Sequence, residues 1–491
     1  MMKNCDILLI QPPHERRIGS GNTLPLGLGF IAAYLQKNGF KVGIIDCTVF
    51  IDSVSEDHLS QFSKKFTELV RSNNPKYAFG IGPCMTSNAK GTIAIAQLCR
   101  KISPDIPLIF GGPLASTTGQ EWFFFDQLHA TAVIQGDGEI PLEKCLHSLK
   151  ARENLDEIEG VITNINKKTT ESCIKNLDSL PFPARNLFPL DLYTLSIRRD
   201  LYKYPFATIM GTRGCPNNCP FCVTGALSKG KHRRRSMENI GMEISQISKQ
   251  YGIRQIVFYD DQLFPNTSTI NEDVLAFCNM MNKKGFGILW QVEFRPDVAL
   301  YLEDKTIKYM YNSHCRQINF GIEKGYEKGM KFFGKKCHPE EVKELCKRIR
   351  KVNTNMRLTS TFILGGKFET KDLIMKTIEY SKQLSLLFAH YYPLELYPGT
   401  VFYQDTYGKN SRQWYNLILK KDNLACEIIY ENKEITKKDL YNYIQYAYSS
   451  FYDRKDWLKL AKKQLGKAFD TILPIILNWK CNRLKGFPAN E

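Results

Sequence analysis

The chain has 491 residues, 43% hydrophobic and 12% aromatic, enough apolar side chain to fill the cores of about two to four domains and to exclude a disordered polymer. A net charge of +17 invites a nucleic-acid partner, but the 67 basic residues are interleaved with 50 acidic ones, so the excess reads as a solvated, Lys-rich surface and nucleic acid is not expected. No apolar run is long enough to span a membrane, the start is too short and acid-flanked for a signal peptide, and 15 cysteines without a framework pattern suit a reducing compartment, so the cytoplasm is expected.

Asp6 to Ile10 reads as a short buried strand. After a long loop, Pro25-Leu26-Gly27 opens a helix whose apolar face is Leu28, Ile31, Ala32 and Leu35, with Gly39 at its end. Lys41 to Asp46 resumes as a strand. The alternation continues with a helix over 59–70, a strand over 77–82, a helix over 88–101, and strands at 106–110 and 132–134 before another helix. Strands and helices in this order predict a doubly wound α/β domain over residues 1–150, whose ligand lies beyond the carboxyl ends of the strands.

Gly27-Leu28-Gly29-Phe30-Ile31-Ala32, with Asp46 following, imitates a dinucleotide fingerprint. That fingerprint requires its first glycine directly after the first strand, whereas about sixteen residues separate Ile10 from Gly27, so a nicotinamide cofactor is not expected. Glycine clusters at three strand ends, Gly82 to Thr86, Gly111 to Pro113 and Gly136 to Glu139, describe a floor that a large flat ligand can approach. Ordinary tight turns account for the same pattern.

The rhythm breaks over 151–200. Asn164 to Thr169 resembles a hairpin tip and Leu180 to Arg185 is stiffened by proline, so this stretch reads as a linker between two domains. A strand over 206–211 then runs into Gly211-Thr212-Arg213-Gly214-Cys215-Pro216-Asn217-Asn218-Cys219-Pro220-Phe221-Cys222. Three thiolates at these spacings suit an iron-sulfur cluster with one iron left open. A structural zinc is the competing reading, with His232 as the nearest fourth ligand, and three inert buried cysteines are the plain one. The basic run Lys229 to Arg235 is placed to hold an anionic group nearby.

Five further strands, at 255–259, 288–294, 317–321, 357–364 and 388–396, alternate with helices. Six βα units predict a parallel barrel, complete or partial, over residues 201–405, with its chemistry at the strands' carboxyl ends. The cysteines, Asp260-Asp261, Glu293, Arg295, Glu323 and Gly365-Gly366 all fall on that rim. Residues 406–491 read as a helical C-terminal region with a capping box from Thr436 to Asp439. The mixed apolar and Lys-rich stretch Trp457 to Leu477 suits covering the barrel's open side, or peripheral contact with a membrane or partner.

Cys215-x-x-x-Cys219-x-Phe221-Cys222 resembles the cluster motif of radical SAM enzymes, with the aromatic residue in its familiar place. Gly321-Ile322-Glu323-Lys324-Gly325 resembles the superfamily's Gly-Ile-Glu-Ser-Gly strand end, and Phe362 to Thr370 resembles its Gly-x-Pro-Gly-Glu-Thr stretch; Pro398-Gly399-Thr400 also fits. Through Pro25-Leu26-Gly27, Gly111-Gly112-Pro113 and Gly136 to Glu139, the N-terminal half is similar to the Rossmann-like cobalamin-binding domain of one large subfamily. The chain departs from the pattern at Lys367, where proline is usual, and at Leu114, where histidine is frequent. It also lacks the Asp-x-His-x-x-Gly motif that supplies a histidine to cobalt. His14 and Arg16 lie in a loop placed to face a ligand.

The resemblance implies three cofactors: a [4Fe-4S] cluster on Cys215, Cys219 and Cys222; S-adenosyl-L-methionine near Phe221, Glu323 and Gly365; and cobalamin near Leu26, Gly27, Thr86, Gly111, Gly112, Pro113, Gly136 and Glu139. It implies reductive cleavage of S-adenosylmethionine to a 5′-deoxyadenosyl radical, hydrogen abstraction, and methylation of an unactivated carbon from methylcobalamin. The substrate would be a small molecule or lipid, and the reductant flavodoxin or ferredoxin. An oxidative cyclase or rearrangement enzyme uses the same architecture. An RNA-modifying methylthiotransferase would need a second cluster domain, for which Cys5, Cys47, Cys84 and Cys99 do not cluster in sequence. A zinc-stabilised nucleic-acid-binding protein leaves the barrel rim without a role.

Overall fold

The computed structural model describes residues 4–15, 23–193, 205–283, 285–420, 423, 426–470 and 473–474. The chain forms two compact units, the first built from the described residues of 1–17, 21–194 and 397–428, the second from those of 195–396 and 429–491.

The first unit is organised by β1 (Cys5–Gln11), where Ile7 to Ile10 are all buried, as a strand covered on both faces of a parallel sheet requires. After it come α1 (Leu26–Lys37), β2 (Val42–Asp46), α2 (Glu56–Asn73), β3 (Pro75–Ile81), α3 (Ala89–Ile102), β4 (Leu108–Phe110), β5 (Ala132–Ile134), α4 (Glu139–Ala151) and β6 (Val161–Ile162). The sheet order is β2-β1-β3-β4-β5-β6, parallel except for the antiparallel pairing of β6 with β5. The chain reverses its winding between β1 and β3, the topological switch point where a ligand of such a sheet binds.

The stretch expected as a linker belongs, in its described part, to this unit. Pro183 packs where a side chain on Gly29 of α1 would sit, 3.0 Å from the Cβ it lacks, and the Ala184 amide donates to the Gly29 carbonyl at 3.0 Å. The proline-stiffened segment is thus a surface fitted to a helix.

The second unit opens with β7 (Phe206–Ile209). There follow β8 (Thr212–Arg213), α5 (Val223–Ser228), β9 (Arg233–Arg234), α6 (Met237–Tyr251), β10 (Gln255–Phe258), α7 (Ile270–Lys283) and β11 (Leu289–Phe294). Next are α8 (Pro296–Ala299), α9 (Asp304–Asn312), β12 (Cys315–Glu323), α10 (Glu327–Phe332), α11 (Pro339–Val352), β13 (Arg357–Leu364), α12 (Lys371–Lys382) and β14 (Phe388–Pro393). Six of these strands form one parallel sheet in the order β14-β13-β12-β11-β10-β7, a partial (β/α)6 barrel. One face, including Ile256, Trp290, Ile318, Leu358 and Ala389, joins the helices in a continuous apolar core. The register places Gln291, Glu293, Gln317, Asn319, Thr359 and His390 on the other face, which is mainly polar, with Val257 and Phe388 among them.

After β14 the chain leaves the barrel for α13 (Val401–Tyr407) and α14 (Gln413–Ile418) and contributes them to the first unit. Trp414 is fully buried there, its indole N–H donating to Gln120 Oε1 at 2.6 Å and its ring 5.2 Å from that of Phe123. The chain returns where it left, through a bridge between Glu395 and Ile429. It then forms α15 (Lys437–Tyr452), started by the expected capping box of Thr436 and Asp439, and α16 (Lys455–Leu465).

These two helices protect the edge strand β14. The hydroxyls of Tyr448 and Tyr452, one helical turn apart, accept from the amides of Tyr391 and Ala389 at 3.1 Å each, and the Trp457 indole donates to the Leu387 carbonyl at 2.8 Å. Trp457, Ala461, Leu465 and Phe469 lie in the barrel's core, so this part of the stretch does not offer its apolar side to a membrane. Ile472, Ile476 and Leu477 lie outside the described residues. Among the described residues no helix is long and apolar enough to cross a membrane.

Candidate functional site

In the first unit the expected contact residues fall into two groups. Leu26, Thr86 and Glu139 are buried. Gly112 has φ of +119°, and a Cβ there would lie 2.4 Å from the Cys84 amide nitrogen; one on Gly136 would lie 2.2 Å from the Ser172 carbonyl oxygen. The strand-end loops after β3, β4 and β5 thus close on protein backbone at these glycines. Gly27 and Gly111 differ. Gly27 is exposed with nothing within 4 Å of a Cβ, and Gly111 meets only Ile134 at 4.0 Å, so space remains there for a ligand, with half-exposed Pro113 beside it.

Asp46 is not a ribose ligand. Its Oδ1 accepts from the Thr48 amide and hydroxyl at 2.9 and 2.6 Å, and its Oδ2 accepts from the Tyr193 hydroxyl at 2.8 Å. Gly27 and Gly29 lie inside α1 and make no tight turn after β1. His14 is half-buried, and Arg16 lies outside the described residues.

In the second unit the cysteine loop hangs between β8 and β9, paired antiparallel, and leads into α5. Its geometry is held from below by Asp260, at the end of β10, which accepts from the Gly211 amide at 3.1 Å and the Thr212 hydroxyl at 2.5 Å. Burial pushes the Asp260 carboxyl up to about 7, with those hydrogen bonds pulling it the other way. Gly214 and Gly225 allow close passage, since a Cβ on either would lie 2.4 Å from the Lys231 carbonyl oxygen or 2.8 Å from that of Asn217.

The basic run after the loop is largely structural. Arg235 is buried against Glu243 at 2.5 Å and Asn239 at 2.6 Å, and Arg234 pairs with Asp273 at 2.9 Å. His232, the alternative zinc ligand, has Nε2 2.8 Å from the Gln262 carbonyl, and burial lowers its pKa.

Cys215, Cys219 and Cys222 are free thiols and half-buried. Burial raises the Cys222 thiol, opposed by the amides of Gly225 and Thr224. Among the described residues no three His, Cys, Asp or Glu side chains converge on one ion. A four-iron cube does not ask for that convergence, because each thiolate binds a different iron. Three free thiols on one glycine-relieved loop therefore fit a cube with an open iron.

The connection from Lys324 to Lys336, which spacing alone did not single out, joins the remaining residues. Phe221 packs on Phe333 with ring centroids 5.0 Å apart, and Gly334 approaches Cys219 so that a Cβ would lie 3.8 Å from its sulfur. Lys335 Nζ is 3.2 Å from Glu323 Oε1, and the Thr361 hydroxyl donates to Glu323 Oε2 at 3.4 Å. Glu323 has φ of +67°, a left-handed conformation that costs a non-glycine residue about 1–3 kcal/mol.

Lys324, one residue on, is buried with Nζ 2.6 Å from Glu369 Oε2, 2.9 Å from the Gly365 carbonyl, and 4.6 Å from the centroid of the Phe333 ring. Burial lowers its pKa and Glu369 opposes the shift. Phe221, Phe333, Lys324 and Gly365 form a chain of contacts, and Glu323, paired with Lys335, directly precedes Lys324 in sequence. The Ser-to-Lys departure at 324 and the Phe-Phe-Gly triplet at 332–334 are the sequence signals for this connection.

Comparison with known proteins gives the same division. The B12 binding domain model matches residues 20–146 and the radical SAM superfamily model matches residues 209–381. An uncharacterized methyltransferase of Pyrococcus horikoshii is 26% identical over 92% of this chain and 94% of its own. The cytidylyl-2-hydroxyethylphosphonate methyltransferase of Streptomyces wedmorensis is 25% identical over 70% of this chain and 69% of its own. The fold is similar to that of the radical S-adenosylmethionine methyltransferase TsrM of Kitasatospora setae, solved with cobalamin and a [4Fe-4S] cluster, with a TM-score of 0.67, 12% identity, and coverage of 97% of this chain and 99% of that one. A B12 domain stands where the methylthiotransferase reading requires a second cluster domain. A B12 binding domain ahead of a radical SAM barrel, with cobalamin, a [4Fe-4S] cluster and S-adenosylmethionine implied as cofactors, gives the chain the domain make-up of a cobalamin-binding radical SAM enzyme.

Proposed function

We propose that this enzyme is a methyltransferase acting on an unactivated carbon of a small molecule, a natural product or a cofactor precursor. The observation that carries the reading is the three-cysteine loop at the carboxyl ends of a parallel barrel, in one chain with a B12 domain and resembling methyltransferases over nearly its whole length. When bound, the cofactors supply a 5′-deoxyadenosyl radical to take a hydrogen atom and a methyl group to replace it.

The protein's share is to bind and orient. Cys215, Cys219 and Cys222 would hold the cluster, and the open iron would take the amino acid end of S-adenosylmethionine. Glu323, fixed by Lys335 and Thr361, would accept hydrogen bonds from that ligand's polar groups. Phe221 and the Gly365 backbone would border it. In the first unit, Gly27, Gly111 and Pro113 would approach cobalamin. The polar inward face, with Gln317 donating to Asn319 Oδ1 at 2.8 Å and Thr359 bonded to the same oxygen, favours a hydrogen-bonding substrate over a hydrocarbon lipid. Flavodoxin or ferredoxin in the cytoplasm would deliver the electron.

Anaerobic incubation of reconstituted enzyme with S-adenosylmethionine, reductant and cobalamin tests the proposal. Methyl transfer yields both 5′-deoxyadenosine and S-adenosylhomocysteine; deoxyadenosine alone would move the reading to cyclisation or rearrangement.

A further inference from the structure

Arg295, at the end of β11, is buried with only 5% of its surface exposed, and each side of its guanidinium has a defined partner. Its Nε donates to Asp297 Oδ1 at 3.0 Å and its Nη2 to Asp297 Oδ2 at 2.7 Å, a fork-on-fork pair. Nη2 also donates to the Gly334 carbonyl at 2.7 Å, and Asp297 is itself held by the Lys336 amide at 3.0 Å. The remaining nitrogen, Nη1, lies 2.8 Å from the sulfur of Cys219, a residue 76 positions away in sequence. The orientation of the guanidinium is thus fixed by groups other than the thiol, and it directs one N–H at that sulfur.

We propose that Arg295 is a positioning residue that hydrogen-bonds the Cys219 sulfur of the loaded cluster and thereby makes the cluster easier to reduce. This rests on the reading of Cys215, Cys219 and Cys222 as cluster ligands. One-electron reduction adds negative charge to the cluster and its sulfurs, and a charge-assisted N–H donor stabilises the reduced form more than the oxidised one. The electron comes from the external reductant, and no proton moves, because a guanidinium keeps its charge. Burial works against that charge, but the Asp297 carboxylate and the Cys219 sulfur outweigh it, so the pKa of Arg295 is raised. A purely structural Arg295–Asp297 pair, tying β11 to the 334–336 segment, would affect folding and leave the potential unchanged.

The test is a redox titration of the reconstituted full chain, read by electron paramagnetic resonance of the reduced cluster, for wild type, R295Q and R295K. At the potential where wild type is half reduced, R295Q is expected to show a ratio of reduced to oxidised cluster about tenfold lower, equivalent to about 59 mV for a one-electron couple. R295K, which keeps a cationic donor without the fork, is expected to fall between. Equal midpoints in all three would overturn the proposal while leaving the cluster assignment intact. Failure of wild type to take up iron and sulfide would overturn both. Should R295Q not fold, resonance Raman spectra of wild type and R295K decide. Transfer to deuterium oxide is expected to shift the iron–cysteine stretch in wild type and less in R295K, and identical spectra in the two solvents would count against the hydrogen bond.

Discussion

In the first unit the strand-end loops close on protein backbone, the loop beyond β4 at Gly112 against Cys84 of the loop beyond β3, and the loop beyond β5 at Gly136 against Ser172 of the segment after β6. In the barrel the corresponding rim is fastened by buried polar side chains: Asp260 hydrogen-bonded under the cysteine loop, and the ion pairs of Arg295 with Asp297, Lys335 with Glu323, and Lys324 with Glu369. On the proposed cofactor sites, the difference follows from what each rim has to hold. A flat, largely preformed ligand needs a shallow backbone surface with a few open positions, such as Gly27 and Gly111. A cluster and a charged cosubstrate need side chains whose directions are fixed, and a buried ion pair fixes direction at the cost of desolvation. The first rim is therefore expected to fail by steric strain and the second by loss of charge pairing.

The largest effect on stability is expected from Lys324→Met. It leaves the Glu369 carboxylate buried without its partner, and breaking such a pair costs about 3–5 kcal/mol. Chemical denaturation checks this, and the double variant K324M/E369Q is expected to recover most of the loss. A K324M midpoint equal to that of wild type would show that the rim does not depend on charge pairing. Gly112→Ala comes next. Its Cβ meets backbone at 2.4 Å with φ of +119°, so roughly 2–3 kcal/mol should be lost by the same measurement.

The third prediction concerns pH. The Asp260 carboxyl has a pKa of about 7 in the fold, above its ordinary value of 3.8, so between these values the folded chain holds a proton that the unfolded chain has released. Its contribution is therefore fully present below about pH 4 and is lost as pH rises towards 7. Stability measured across that range should decline less steeply in Asp260→Asn than in wild type, and parallel curves would show that Asp260 is not held protonated. The smallest effect on the fold is expected from Gly27→Leu. An exposed helical position with open space around it should change stability by no more than about 1 kcal/mol. Cobalamin retained on gel filtration should nonetheless fall, and undiminished retention would remove Gly27 from the cobalamin surface.

The periodic elements were legible in the sequence because parallel α/β units advertise themselves: continuous apolar runs for doubly covered strands, and apolar residues at three- and four-residue spacing for the helices between them. The strand over 357–364 needed no adjustment, and the capping box at Thr436 appeared as expected. β6 was missed because two antiparallel residues leave no period to detect.

The return of α13 and α14 to the first unit was also hidden. Trp414 carries no mark of its partner Gln120, which lies 294 residues earlier. Long-range pairings explain the rest. Spacing placed Arg295 on the rim but said nothing of Cys219, and the glycines that suggested a ligand floor proved, at 112 and 136, to admit the protein's own backbone.

The claim on which the others depend is that Cys215, Cys219 and Cys222 hold an iron-sulfur cluster, and metal analysis of anaerobically prepared wild type, beside a variant with all three changed to alanine, tests it most directly. Iron and sulfide in equal amounts are expected in wild type, falling to background in the variant while cobalamin is retained by the first unit. Zinc without iron or sulfide in wild type, or iron undiminished in the variant, would contradict the account.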